Sequence, residues 1–191
     1  MSLTQKLSTD FRQQCESIAT ELRAILDLRA FDPLPATVLA KHLEARIFTP
    51  DEIPNVLEEQ VGVLLNSDQW SAAIIRTNPL WIVHNPRHVQ TRQQSNLMHE
   101  LAHILMGHKM VGFDRKTGLP QRREGDEDEA TYLGGCLQIP QRGLLWAVQR
   151  KMSLRETAIH FGASEEMVQF RCNVTTISIE KESAQRSRKS L

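Results

Sequence analysis

Cysteine is scarce in this sequence and badly placed for crosslinking. Three are present, Cys15, Cys136 and Cys172, far apart and with no Cys-x-x-Cys pair. That excludes a disulfide framework and a zinc ribbon, and reads as three reduced thiols. An excess of charge is missing too: Lys+Arg and Asp+Glu are both 23. A nucleic-acid binder usually shows a clear basic surplus, and a solvating tail an acidic one. Long apolar runs are absent, so no segment is fit to span a bilayer. The first residues, MSLTQKLSTDFRQQ, are polar where a secretory leader would be apolar. The expectation is a soluble, cytoplasmic protein without a direct nucleic-acid or membrane partner. No internal repeat or low-complexity tract is visible.

What is present suits one globular unit: 191 residues, of which 40% are hydrophobic. Phe11, Ile18, Leu22, Ile25 and Leu26 recur at three- and four-residue spacings, predicting one amphipathic helix over about 4–29. Asp32-Pro33-Leu34-Pro35 breaks it. A short helix over 36–43 and a strand at 45–48 follow. The runs 61–65, 70–76 and 80–84 read as strands, the last two joined at Thr77-Asn78-Pro79 in a hairpin or meander. A small, mostly antiparallel sheet is expected. Beyond Asn85-Pro86 the pattern is helical: 88–107, then a polar loop over 109–123, then helices near 124–137, 141–151, 153–161 and 164–172. Pro86 suits a helix start, Gly162 ends one helix, and Ser164 caps the next. The reading is α+β, with an N-terminal helix (1–30), a core (31–140), C-terminal helices packed on it (141–175) and a tail (176–191) expected to be disordered.

The residues that carry chemistry are His99-Glu100-Leu101-Ala102-His103. Positions four apart share one face of a helix, one turn apart, so both imidazoles can reach one ion. Glu100 is rotated away from that pair. It is poorly placed as a ligand but well placed to take a proton from a water in the open coordination position, whose pKa the ion lowers. The plainer reading is a chance match on an ordinary helix, which predicts no bound metal. Two features favour the metal: the helix follows a small sheet, and acidic candidates for a third ligand lie downstream.

A catalytic zinc needs three protein ligands. His108 lies five residues past His103, about 140° away on a continuous helix, and reads as a polar residue near the helix end. The acidic run from Glu124 to Glu129 offers more. From Glu127 the same face continues through Ala130, Thr131 and Gly134, all small enough for two helix backbones to approach. From Glu129 it continues through the bulkier Tyr132, Leu133 and Cys136. Glu127 is therefore preferred, with Glu129 second and Glu124 third. Tyr132, the only tyrosine, and His84 or His88 are candidates to stabilise an oxyanion opposite Glu100.

The stretch HELAHILMGH, the Glu127-Asp128-Glu129-Ala130 element, and Leu137 and Pro140 beyond it resemble the ImmA/IrrE family of metallopeptidase-like proteins. The likeness spans about 33–172. WIVHN before the motif helix and the helix pair around Gly162 also fit. The resemblance implies a zincin-like fold with a gluzincin-type site holding Zn²⁺ through His99, His103 and Glu127. It further implies site-specific cleavage of a helix-turn-helix repressor that controls a mobile element, a stress response or a toxin–antitoxin system. Thr131, Leu133, Gly134 and Met98 depart from the usual Asn, Phe, Ala and Ala. These changes touch packing and substrate handling rather than the ligands or the base.

Two functions of different class follow. One is a zinc endopeptidase with a narrow protein substrate. The other is a zinc-containing regulatory or interaction module that binds a repressor or antitoxin-like partner without efficient proteolysis. The helix pair 153–172 has a helix-turn-helix look. Its acids Glu156, Glu165 and Glu166 suit a phosphate-facing surface poorly, so plain packing is expected there.

Overall fold

The structure, a computed structural model, describes residues 3–53, 70–113 and 120–179. The predicted first helix is divided at Leu7-Ser8 into a single turn, α1 (Leu3–Lys6), and α2 (Thr9–Ile25). Ser8 causes the break: its hydroxyl accepts from the Phe11 amide at 3.1 Å and caps α2. Asp27, in the left-handed region at φ 56°, follows its end. The inward stripe is Cys15, Ala19, Leu22 and Arg23. Ile25 lies on its flank and is 64% exposed, so it does not join the predicted face.

Helix α3 (Ala36–His42) leads into β1 (Arg46–Phe48). Strands β2 (Ala72–Thr77) and β3 (Leu80–His84) form the expected hairpin, with Thr77 opposite Leu80. β1 lies along the other side of β3 and runs parallel to it, so the three-stranded sheet is mixed, in the order β1-β3-β2. The strand expected at 61–65 lies outside the described residues. Alternation along the strands divides two cores. Ile74 and Ile82 face the main one, and Phe48, Ala73, Trp81 and Val83 face a smaller one with Ile53 and Trp70.

Helix α4 (Gln90–Met106) begins later than Pro86, because Asn85 makes a turn first. Its side-chain oxygen accepts from the Arg87 amide at 3.0 Å. A two-stranded ribbon, β4 (Gly112–Phe113) with β5 (Pro120–Gln121), separates α4 from α5 (Glu124–Gln138). Leu97, Met98, Leu101 and Ala102 of α4 are buried with Ala130, Leu133, Cys136 and Leu137 of α5. Cys15, Ala19 and Leu22 of α2 belong to the same core. Then come α6 (Gln141–Gln149), α7 (Leu154–Phe161) and α8 (Glu165–Thr175). Ser153 and Glu156 form a capping box at α7, Gly162 ends it with φ 61°, and Ser164 caps α8. The tail beyond 179 lies outside the described residues. Among those described, no helix is long and apolar enough to cross a membrane.

The carboxyl end of α5 is held by two buried arginines. The last carbonyls of a helix lack partners and carry partial negative charge. Arg23 donates to the carbonyls of Leu137 at 2.7 Å and Gln138 at 3.2 Å. Arg171, from α8, donates to Ile139 at 2.8 Å and pairs with Glu16 of α2. Helices α2 and α8 are thus tied to the helix that carries Glu127.

All three cysteines are buried. Burial pushes the Cys15 thiol up to about 12 and raises Cys136 and Cys172 as well. A thiol reagent at neutral pH is expected to modify none of them rapidly in the native protein and all three after denaturation. Fast modification of any one before unfolding would contradict this burial.

Candidate metal centre

The structure brings the two motif histidines together. His99 and His103 lie one turn apart on α4, with ring centres 4.7 Å apart and planes at 82°. Their Nε2 atoms point at one spot and stand 3.0 Å from each other. Glu127, in the first turn of α5, completes the group. Its Oε2 is 3.0 Å from Nε2 of His99, and its Oε1 is 3.4 Å from Nε2 of His103. Among the described residues, these three form the cluster of metal-ligating groups compatible with an ion.

The donor atoms can be tested against a metal's requirements. Ligands at about 2.0–2.1 Å in a tetrahedron stand about 3.3 Å apart. The separations of 3.0, 3.0 and 3.4 Å fit that edge closely. Charge agrees. Desolvation lowers the pKa of His103, against the raising effect of its Glu127 contact, and this favours the neutral ring that a ligand needs. Close contact with the His103 ring and then with the His99 ring holds the Glu127 carboxyl well below the usual carboxylate range. His103 is fully buried, whereas His99 and Glu127 are partly open to solvent, so the site has a wet side.

Close approach of α4 and α5 makes this possible. Ala130 and Gly134 face α4 as predicted, while Thr131 turns to solvent. A Cβ at Gly134 would stand 3.3 Å from the Met98 carbonyl oxygen and 3.4 Å from Cα of His99, both backbone atoms with little room to yield. Gly134→Leu is expected to cost about 1–3 kcal/mol in denaturant unfolding, from overpacking. Unchanged stability would show that this contact does not set the helix spacing.

Glu100 is 6% exposed and faces the sheet, where the Ile74 amide donates to its carboxylate. Burial raises its pKa, opposed chiefly by Arg122, whose Nη2 lies 3.4 Å from Oε2, and then by His99. Arg122, just after β5, is the site residue that sequence reading missed. It comes from an irregular connection, where no spacing links it to the motif.

The other candidates lie elsewhere or play different parts. Tyr132 is a correction. Five residues past Glu127 it is rotated by about 140° on α5. Its ring lies 6.5 Å from Phe11 and 5.5 Å from the Arg171 guanidinium, in the core on the α2 side rather than opposite Glu100. His84 ends β3 and feels the charge of Glu52; among the described residues it makes no hydrogen bond to the metal-ligating cluster. The contact of His88 is with Asn96, at 3.3 Å. Glu124 is exposed near Lys6. Glu129 does not meet the Nε2 pair; its partner is His108, at 3.1 Å.

A family model for Peptidase M78, the IrrE N-terminal-like domain, matches residues 63–173. Among solved structures, a Mycobacterium tuberculosis transcriptional regulator shares the fold at a TM-score of 0.55 and 14% identity, over 98% of this chain and 54% of the other. The chain thus spans about half the length of that regulator. No curated protein matches.

Proposed function

The chain belongs to the Peptidase M78, IrrE N-terminal-like family, and on that premise we propose that it is a cytoplasmic zinc endopeptidase making site-specific cuts in a regulatory protein, a helix-turn-helix repressor. The observation that carries the reading is the convergence of His99, His103 and Glu127 at tetrahedral spacing, with Glu100 next in sequence to His99. Zinc bound there supplies Lewis acidity and acidifies a water. His99, His103 and Glu127 hold and orient the ion. A carboxylate of Glu100 takes the proton of the attacking water and returns it to the departing amine. The Ile74 amide and Arg122 favour its charged form, which is the one able to accept.

One observation favours the second reading, a module that binds its partner without efficient cleavage. Glu100 is nearly covered and in contact with Arg122, so the base is reached only when that contact yields. The test is to incubate the zinc-loaded chain with helix-turn-helix repressors of its host and to sequence any product by mass spectrometry. A single internal cut, stopped by a chelator and restored by zinc, is the expected result. Tight binding of an intact repressor, with no cut at any zinc concentration, would leave the binding module in its place.

A further inference from the structure

Gly107 follows α4 with its backbone in the left-handed region, at φ 69°. Its amide donates to the Ile104 carbonyl and that of His108 to the His103 carbonyl, both at 3.0 Å. This is a Schellman ending, which folds the residue after the glycine back over the last turn. An uninterrupted helix would point His108 about 140° from His103. The turn brings it back instead, and Nδ1 of His108 lies 2.9 Å from Nδ1 of His103. At the other edge of the ring, Nε2 of His108 is 3.1 Å from the Glu129 carboxylate. The His108 side chain is 8% exposed and that of His103 is fully buried, so water competes poorly for these contacts.

The acceptor at the far end of this chain, the Glu129 carboxylate, sets the order of protons along it. The carboxylate accepts, so the proton of His108 sits on Nε2. Nδ1 of His108 then accepts, and Nδ1 of His103 must donate to it. That leaves Nε2 of His103 as a bare lone pair, directed at His99 and Glu127. A ligating imidazole needs this tautomer, and an outer partner on its other nitrogen usually fixes it. We propose that His108 and Glu129 are positioning residues of the metal centre: as an ordered chain, Glu129 to His108 to His103, they fix the ring and tautomer through which His103 binds zinc. The inference rests on the reading of His99, His103 and Glu127 as ligands. It gives His108 and Glu129, neither of which reaches the ion's place, a definite task.

The test is zinc affinity, by competition with a chromogenic chelator, beside the thermal midpoint of each metal-free chain. His108→Ala is expected to bind zinc about 10–100-fold more weakly, as the loss of an outer partner does. Glu129→Ala is weakened too. Glu129→Gln stays near wild type, because its amide oxygen still accepts from Nε2 of His108. The double variant His108→Ala/Glu129→Ala is no weaker than His108→Ala alone, since Glu129 acts through His108. A packing role would instead lower the midpoint and spare affinity. His108→Ala within about twofold of wild-type affinity overturns the proposal while the metal centre stands; a wild-type chain without zinc affinity overturns both. Nitrogen NMR of the zinc-loaded wild type gives a reading independent of any variant's folding. The proton must sit on Nδ1 of His103 and Nε2 of His108, and the opposite placement on His108 overturns the proposal.

Discussion

Glu100→Gln is expected to lower the rate of the proposed repressor cleavage about 10²–10⁴-fold, the usual worth of a positioned general base, while zinc content stays at the wild-type level. The amide keeps the size of the side chain, and its oxygen can still accept from the Ile74 amide. What it loses is the capacity to take a proton. Its charge pairing with Arg122 is lost as well, so Arg122 keeps a buried charge with a weaker partner. Zinc must therefore be measured on the same preparation, by elemental analysis, to separate loss of chemistry from loss of structure. Cleavage that persists within a few-fold, with zinc bound, would remove Glu100 as the base. Binding of an intact repressor is expected to survive the substitution, since it removes proton transfer and leaves the cleft's shape.

Glu127→Ala has the second large effect, and it acts on the ion itself. Removing a carboxylate that faces both Nε2 atoms leaves two ligands, too few for a stable zinc site. The loss of affinity is expected to exceed the about 10–100-fold cost of losing an outer partner, so that dialysed protein is nearly free of zinc. Glu129→Ala, two residues along the same helix, should remain measurably loaded. This contrast decides between two acids that the sequence left as alternatives. Equal zinc content in both variants, or full content in Glu127→Ala, would refute the assignment.

What could be read from the sequence was whatever local helix geometry determines. His99, Glu100 and His103 follow from a repeat of 3.6 residues per turn and need no knowledge of the rest of the chain. Glu127 was within reach because the small residues Ala130 and Gly134 mark the side of a helix that another backbone can approach. The same geometry misled where its assumption failed. The angle assigned to His108 presumes that α4 continues past Gly107, and the glycine stops it. Gly107 was the available signal: a glycine just after the last periodic residue predicts a C-cap. Tyr132 was one of several candidates for an oxyanion stabiliser, offered on residue type, and its angle on α5 turns it toward α2. Arg122 and the parallel pairing of β1 depend on contacts between distant segments, which no short pattern encodes.

The two arginines beneath α5 bear on how far the chain can be trimmed and stay folded. A fragment trimmed to residues 63–173, the stretch matched by the family model, would lack Glu16 and Arg23. Arg171 would become a buried cation without its carboxylate, and the carbonyls of Leu137 and Gln138 would lose their donor. Breaking a buried ion pair from one side costs about 3–5 kcal/mol, a large part of the roughly 5–15 kcal/mol that holds a domain together. The stretch matched by the family model is therefore expected to be less stable by itself than the whole chain. Arg23, 76 residues upstream of His99, belongs to the foundation of the candidate metal centre.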